Sequence, residues 1–87
     1  MARVFIPPLL RARTGGLREI ELEGATIGAL LLALEAGFPG TRERLVLNER
    51  LMPGMAVIVD GEAAVDGLKS AVGPASEVHF VPAARGG

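Results

Sequence analysis

The sequence predicts an α+β domain in which one mixed β-sheet of four to five strands carries one main helix on one face. Stretches of β-forming residues lie towards both ends of the chain, and a stretch with helical spacing lies between them. The chain has 87 residues, which is enough for a single hydrophobic core. Hydrophobic residues make up 49% of the chain and aromatic residues only 3%, so we expect that core to be aliphatic.

The first part of the chain predicts two strands joined by a tight connection. The segment ARVFI is rich in β-forming residues and stops at Pro7 and Pro8, which cannot donate a hydrogen bond to a β-ladder. The segment LREIEL alternates apolar and charged residues, the pattern of a strand with one face in water. Between them, Gly15 and Gly16 can adopt the positive φ of a turn, and we interpret this internal double glycine as turn chemistry alone.

One helix is predicted after the second strand. Four apolar residues at the spacing i, i+3, i+4, i+7 form one helix face, which we assign to the core: Ile27, Leu30, Leu31 and Leu34. Thr26 is the expected N-cap, and Gly37 and Pro39 are expected to end the helix. Gly28 costs about 1 kcal/mol relative to alanine inside a helix, and we attribute it to a close approach between the helix and the sheet.

The second half of the chain adds strands to the same sheet. Residues 41–45 indicate a short helical turn, which an irregular stretch follows. The segment MAVIVDGE indicates a buried strand and then an Asp-Gly turn, which is a sufficient reason for Asp60 without an acid–base role. A loop with one helical turn leads to the last strand, EVHFVP, where Val78 and Phe80 face the core and His79 and Val81 face away.

Composition argues against several classes of function. The net charge is −1, with 9 basic and 10 acidic residues spread along the chain, so no basic surface for nucleic acid is expected. The absence of cysteine excludes disulfides, thiolate metal sites and a cysteine nucleophile, and a single histidine without clustered carboxylates predicts no metal site. The amino-terminal residues do not resemble a signal peptide, and the longest apolar run, residues 29–34, is too short to span a bilayer. We therefore expect a cytoplasmic protein that binds neither nucleic acid nor membrane.

The ending PAARGG is the segment that points to a function. Because Pro82 ends the last strand, we predict a compact domain over residues 1–82 and a flexible tail over residues 83–87. Two terminal glycines have no side chains, so they can enter a narrow channel and present an unhindered carboxylate. On physical grounds alone, a functional tail and a frayed terminus are equally good interpretations.

Two segments of the chain resemble a known family. The ending SEVHFVPAARGG is similar to the end of ubiquitin and of the bacterial ubiquitin-like sulfur carriers of the MoaD/ThiS superfamily. The opening VFIPPLLRARTGG, followed by EGATIGALLLALEAGFPG, resembles the CysO type within that superfamily. The resemblance covers nearly the whole chain and implies the β-grasp, or ubiquitin-like, fold, whose order of elements is the one predicted above.

The resemblance implies a sulfur carrier and not an enzyme. A MoeB/ThiF-like activating enzyme would use ATP to adenylate the Gly87 carboxylate, and a sulfur donor would then replace AMP to leave a thiocarboxylate. Gly86 would provide clearance for the tail, and the carrier would bind no cofactor and no metal of its own. Arg85 stands where many bacterial carriers have a small or apolar residue, and it could either pair with an acidic groove of a partner or be a solvated charge.

Alternation along the strands predicts a docking surface near the tail. Phe5 and Val81 fall on the sheet face opposite the residues assigned to the core, and in a β-grasp the first and last strands are neighbours. An apolar patch at the base of a reactive tail is a natural surface for a partner. His79 lies on the same face, has no catalytic residues patterned around it, and is interpreted as a surface histidine.

Four functions stay open at this point. A PLP-dependent cysteine synthase could accept the sulfur, with a JAMM-type metalloprotease releasing the product, and the CysO-like opening favours this route. The protein could instead be the small subunit of molybdopterin synthase, with its tail inserted into the large catalytic subunit. It could also be a ubiquitin-like modifier joined to lysines of other proteins, or a binding module whose tail is inert.

Overall fold

The computed structural model describes residues 1–82, so the predicted tail, residues 83–87, lies outside the described residues. Two short 3-10 turns, Pro8–Leu10 and Gly67–Lys69, interrupt the connections between the main elements. The helices and strands are β1 (Ala2–Phe5), β2 (Glu19–Leu22), α1 (Ile27–Gly37), α2 (Arg42–Leu45), β3 (Val46–Leu47), β4 (Arg50–Leu51), β5 (Met55–Val59), β6 (Glu62–Ala63) and β7 (Glu77–Pro82).

Five strands form one mixed sheet in the order β2-β1-β7-β5-β6. The first and last strands, β1 and β7, are neighbours, as the family resemblance implied. They pair in parallel, and the other pairs of this sheet are antiparallel. The internal double glycine turns the chain between β1 and β2, with φ of 66° at Gly15 and 88° at Gly16. The prediction of turn chemistry for this pair is therefore confirmed.

The core lies between one face of the sheet and α1. The four helix residues predicted to be buried are at most 1% exposed. On the sheet side, Val78 and Phe80 of β7 are buried, whereas His79 and Val81 are only half-buried. The predicted inside and outside faces of the last strand are thus confirmed. The other buried apolar residues are Ala2, Val4, Ile6, Leu10, Leu45, Val46 and Val57.

The start and end of α1 follow from local chemistry. The Thr26 side chain accepts a hydrogen bond from the Ala29 N–H at 3.1 Å, which satisfies a backbone donor that the helix itself leaves unpaired. The helix ends at Gly37, as predicted. A Cβ added to Gly28 would lie 3.2 Å from the carbonyl oxygen of Leu68. The prediction that Gly28 approaches the sheet is therefore wrong, because its close neighbour is the 3-10 turn Gly67–Lys69.

Two stretches in the second half of the chain differ from the prediction. The stretch expected to be irregular forms a small hairpin of β3 and β4, in which Asn48 and Glu49 both have positive φ, 53° and 62°. These angles are those of a type I′ turn, which usually carries glycine. In β5, which was predicted to be a buried strand, only Val57 is buried. Met55 and Val59 pack against the core but stay partly exposed, and Ala56 and Ile58 lie on the sheet face opposite α1.

Candidate functional site

The outer face of the sheet, opposite α1, carries a cluster of half-buried side chains near the end of the last strand. The strand register places Phe5 of β1 beside His79 of β7, and His79 beside Ile58 of β5. Val81, two residues further along β7, is paired with Ala56 of β5. We call these five residues the outer-face cluster; all are intermediate between buried and exposed.

Phe5 and His79 form the centre of the outer-face cluster. Their rings are stacked with centroids 4.0 Å apart and an angle of 8° between the planes. Because Phe5 and His79 are paired across neighbouring strands, this face-to-face contact joins the two rings into one continuous surface. His79, predicted to be a surface histidine, is therefore part of the surface to which Phe5 and Val81 were assigned.

The two ends of the outer face differ in character. At the start of β1 and β7, Arg3 lies between two glutamates, with its Nε 3.7 Å from Glu19 Oε1 and its Nη1 3.6 Å from Glu77 Oε2. These side chains are about half exposed, so the ion pairs contribute little to stability. Because β1 and β7 are parallel, the apolar end of the face lies towards Pro82 and the charged end lies away from it.

A shallow cleft of about 340 Å³ adjoins the outer-face cluster. Phe5 and His79 form part of its lining together with Pro8, and the next residue of β7, Phe80, also contributes. Its charged lining comes from the β1–β2 connection, which supplies Arg11 and Arg18, and from Glu19 of β2. The cleft thus opens beside the strand end from which the tail continues.

Asp60 holds the β5–β6 turn against the start of β7. One of its carboxylate oxygens accepts a hydrogen bond from the Ser76 hydroxyl at 2.8 Å, and the other accepts one from the Glu77 N–H at 2.9 Å. These two bonds hold the pKa of the Asp60 carboxyl below its usual value, and the bond from the Glu77 N–H has the larger effect. Asp60 therefore acts as a structural anchor, in keeping with the turn interpretation.

Glu35, in the last turn of α1, plays a similar structural role. Its carboxylate accepts hydrogen bonds from the backbone N–H groups of Gly40, at 3.0 Å, and Arg42, at 2.9 Å. These backbone donors lower the pKa of the Glu35 carboxyl, and the Gly40 N–H has the largest effect. The carboxylate thus fixes the loop between α1 and α2.

Residues 1–82 contain no group of three or more His, Asp or Glu side chains that could hold a metal ion. Within the same residues, no helix is long and apolar enough to cross a membrane.

The structure brings together two of the five predicted site residues. Phe5 and Val81 lie on the same face near the end of the sheet, whereas Arg85, Gly86 and Gly87 lie outside the described residues. The sequence analysis missed Ile58 and Ala56 as members of the outer-face cluster. Their strand, MAVIV, is apolar at every position, so alternation could not show which side chains point outwards.

The chain resembles proteins of known sequence and structure over nearly its full length. The sequence profile of the ThiS family matches residues 5–87. The sulfur carrier protein CysO of Mycobacterium tuberculosis is 34% identical over 91 aligned residues, which cover 97% of this chain and 96% of that protein. A chain in the crystal structure of the Amycolatopsis orientalis BexX/CysO complex matches with a TM-score of 0.89 and 32% identity, covering 100% of both chains.

A more distant neighbour shares the fold alone. The solution structure of the small archaeal modifier protein 1 from Methanosarcina acetivorans matches with a TM-score of 0.78 at 20% identity, covering 99% of this chain and 95% of that one. The predicted ubiquitin-like β-grasp fold is confirmed by these structural matches and by the mixed sheet with one main helix. The profile match and the full-length relative above 30% identity agree. This chain therefore belongs to the ThiS family.

Proposed function

We propose that this protein is a sulfur carrier whose terminal Gly87 carboxylate is adenylated and then converted to a thiocarboxylate. The observation that carries the proposal is the match of the ThiS family profile through the last residue, Gly87, with its Gly-Gly ending. The relatives named CysO are called sulfur carrier proteins, which supports the same role here. In this role the protein is a substrate of partner enzymes and not a catalyst.

The chemistry takes place on a single carboxyl group. An oxygen of the Gly87 carboxylate attacks the α-phosphorus of ATP, pyrophosphate leaves, and an acyl adenylate forms. A sulfide-equivalent nucleophile then attacks the acyl carbon, AMP leaves, and a thiocarboxylate is produced. Because Gly86 and Gly87 lack side chains, the acyl carbon has no bulky neighbour in either step. ATP belongs to the activating enzyme, and its use there agrees with a protein that works in the cytoplasm.

The folded domain contributes the docking surface for this reaction. The outer-face cluster lies at the end of β7, next to the point where the tail begins, so an enzyme bound there would have the tail within reach. Phe5 and Val81 are the residues we assign to this contact. The partner is a MoeB/ThiF-like activating enzyme, and the crystal structure of the BexX/CysO complex shows that a similar carrier forms a complex with another protein.

The acceptor that the resemblance favours is a PLP-dependent cysteine synthase, with a JAMM-type metalloprotease to release the product. The similarity to CysO proteins over 97% of the chain supports this choice over a molybdopterin synthase subunit. Co-purification of the carrier from its own host would identify the acceptor. Recovery of a molybdopterin synthase large subunit in place of a PLP enzyme would contradict the choice.

Intact mass spectrometry tests the carrier proposal directly. The protein is incubated with a purified MoeB/ThiF-like enzyme, ATP and sulfide, and we expect a gain in mass equal to the exchange of one oxygen for sulfur. Deletion of Gly87 should abolish the gain, and so should one alanine added after Gly87, because either change moves the carboxylate out of register. Gly16→Ala is the matched control and should be loaded normally, since it alters an internal glycine. Sulfur loading of the untrimmed extended variant would refute the proposal.

A further inference from the structure

Positive charge is concentrated in the first part of this slightly acidic protein. Residues 1–18 contain four arginines and no aspartate or glutamate, although the whole chain has a net charge of −1. Arg3 is paired with Glu19 and Glu77. Arg11 and Arg18 both belong to the β1–β2 connection, and both line the cleft beside the outer-face cluster. The cleft is thus the place where this excess of positive charge meets the apolar surface.

The two arginines of the cleft have no carboxylate partner among residues 1–82. Within that part of the chain, ion pairs shorter than 4.0 Å involve only Arg3 and Arg42 as cations. The Nε of Arg11 is hidden from solvent and has no hydrogen-bond acceptor there. A carboxylate bound in the cleft would therefore meet two guanidinium groups with which no acidic side chain of residues 1–82 is paired. Glu19 also lines the cleft, but its carboxylate is paired with Arg3, at a distance of 3.7 Å between Oε1 and Nε.

The rest of the cleft is suited to an apolar group. The stacked rings of Phe5 and His79 form one wall, and the exposed Pro8 contributes further carbon surface. Because this wall belongs to the outer-face cluster, a molecule that covers the cluster can continue into the cleft without a break. A ligand that complements both the arginines and the apolar wall of the cleft carries a carboxylate next to an apolar side chain.

We propose that the cleft binds an acidic segment of the activating enzyme. A carboxylate of that segment pairs with Arg11 and Arg18, and a neighbouring apolar side chain packs on the Phe5–His79 stack. This inference rests on the proposed function for the identity of the partner, and it goes beyond that function by naming the chemistry of the contact. The arginines act in binding and orienting the carrier, and the chemical step stays with the partner and the Gly87 carboxylate.

A peptide titration tests the cleft without the activating enzyme. The ¹⁵N-labelled protein is titrated with acetyl-Asp-Leu-Phe-amide and, as the matched control, with acetyl-Asn-Leu-Phe-amide. We expect amide shifts around the cleft, weaker affinity at higher salt, and at least about threefold weaker binding of the asparagine peptide, because only the aspartate can pair with the arginines. Equal binding of the two peptides, or shifts confined to another part of the surface, would overturn the inference.

Binding to the activating enzyme tests the same arginines in the complete system. The double variant Arg11→Gln, Arg18→Gln should raise the Kd by about tenfold, since it removes two charges from the contact. Arg44→Gln, an exposed arginine that does not line the cleft, is the control and should bind as the unaltered protein does. A double variant within twofold of this control would contradict the inference, provided that circular dichroism shows both to be folded.

The outcomes separate this inference from the proposed function. If the unaltered protein is loaded with sulfur but the arginine variants bind normally, the cleft inference fails and the carrier function stands. If the unaltered protein is never adenylated but discriminates between the peptides, the carrier function fails and the acidic-segment site stands. If removal of residues 83–87 shifts the amide signals around the cleft and increases peptide affinity, the occupant is the protein's own tail, and the inference is wrong.

Discussion

A valine-to-aspartate substitution should destabilise the protein strongly on one face of β7 and only slightly on the other, because only one face is packed against the core. Val78 is 0% exposed in the core, whereas Val81 is half-buried in the outer-face cluster. Val78→Asp loses about 1.5–3 kcal/mol of apolar burial and must also place a carboxyl group in the core, which costs about 1–3 kcal/mol more even without charge. Small domains of this length have free energies of unfolding of roughly 4–13 kcal/mol, so we expect Val78→Asp to lose a large part of its stability, about 2.5–6 kcal/mol in all.

Val81→Asp should leave the fold intact and weaken docking. On a half-exposed strand position, the change costs no more than about 1 kcal/mol through β-propensity. Urea denaturation followed by far-UV circular dichroism measures both variants, since the chain has no tryptophan or tyrosine for fluorescence. Binding of Val81→Asp to the activating enzyme is then measured at equal folded concentration, with Phe5→Ala as a second variant of the same surface. A loss of stability in Val81→Asp as large as in Val78→Asp would refute the assignment of the two faces.

Three further predictions concern the turns and the core. Gly16→Ala should lower the free energy of unfolding by about 1–2 kcal/mol, because φ is 88° there and a Cβ is strained at that angle; urea denaturation checks this, and an unchanged midpoint would contradict it. Leu30→Ala should cost about 2–5 kcal/mol, whereas Leu32→Ala on the same helix, 60% exposed, should stay within about 0.5 kcal/mol; equal losses would contradict the burial pattern. The folded state lowers the pKa of Asp60, so its stabilising effect is complete above the unfolded pKa and is lost as pH falls through the folded one. Stability of Asp60→Asn should therefore fall less steeply than that of the unaltered protein below about pH 4, and parallel curves would show that Asp60 does not contribute.

The outer face has its charged pairs and its apolar cluster at different ends. The charged pairs around Arg3 lie at the start of β1 and β7, and the apolar cluster lies at the other end, towards Pro82. A partner that binds the apolar cluster would therefore lie at the end of the domain from which the tail continues. The parallel pairing of the first and last strands makes this possible, because it brings equivalent ends of both strands to the same edge.

Local patterns in the sequence determined the helix, the faces of the last strand and the first turn. The helical spacing of the apolar residues from Ile27 to Leu34 predicts one buried face, because residues three or four positions apart lie on the same side of a helix. Alternation along residues 78–81 likewise predicts which side chains are buried, because one face of β7 packs against the core and the other does not. Gly15 and Gly16 could be assigned because positive φ is a property of the residue itself. The Gly-Gly ending, joined to the family resemblance, carried the functional proposal.

Only the tertiary structure decided the features that depend on which residues meet across the chain. Asn48 and Glu49 form a turn without glycine, so the β3–β4 hairpin has no local signature and is held by its surroundings. Gly28 faces Leu68, forty residues away in sequence, a contact that helix propensity cannot predict. The outer-face cluster and its cleft depend on strand register, which sets Phe5 beside His79 and His79 beside Ile58. Register results from the packing of the whole sheet against one helix, so a surface built from it becomes visible only in the folded molecule.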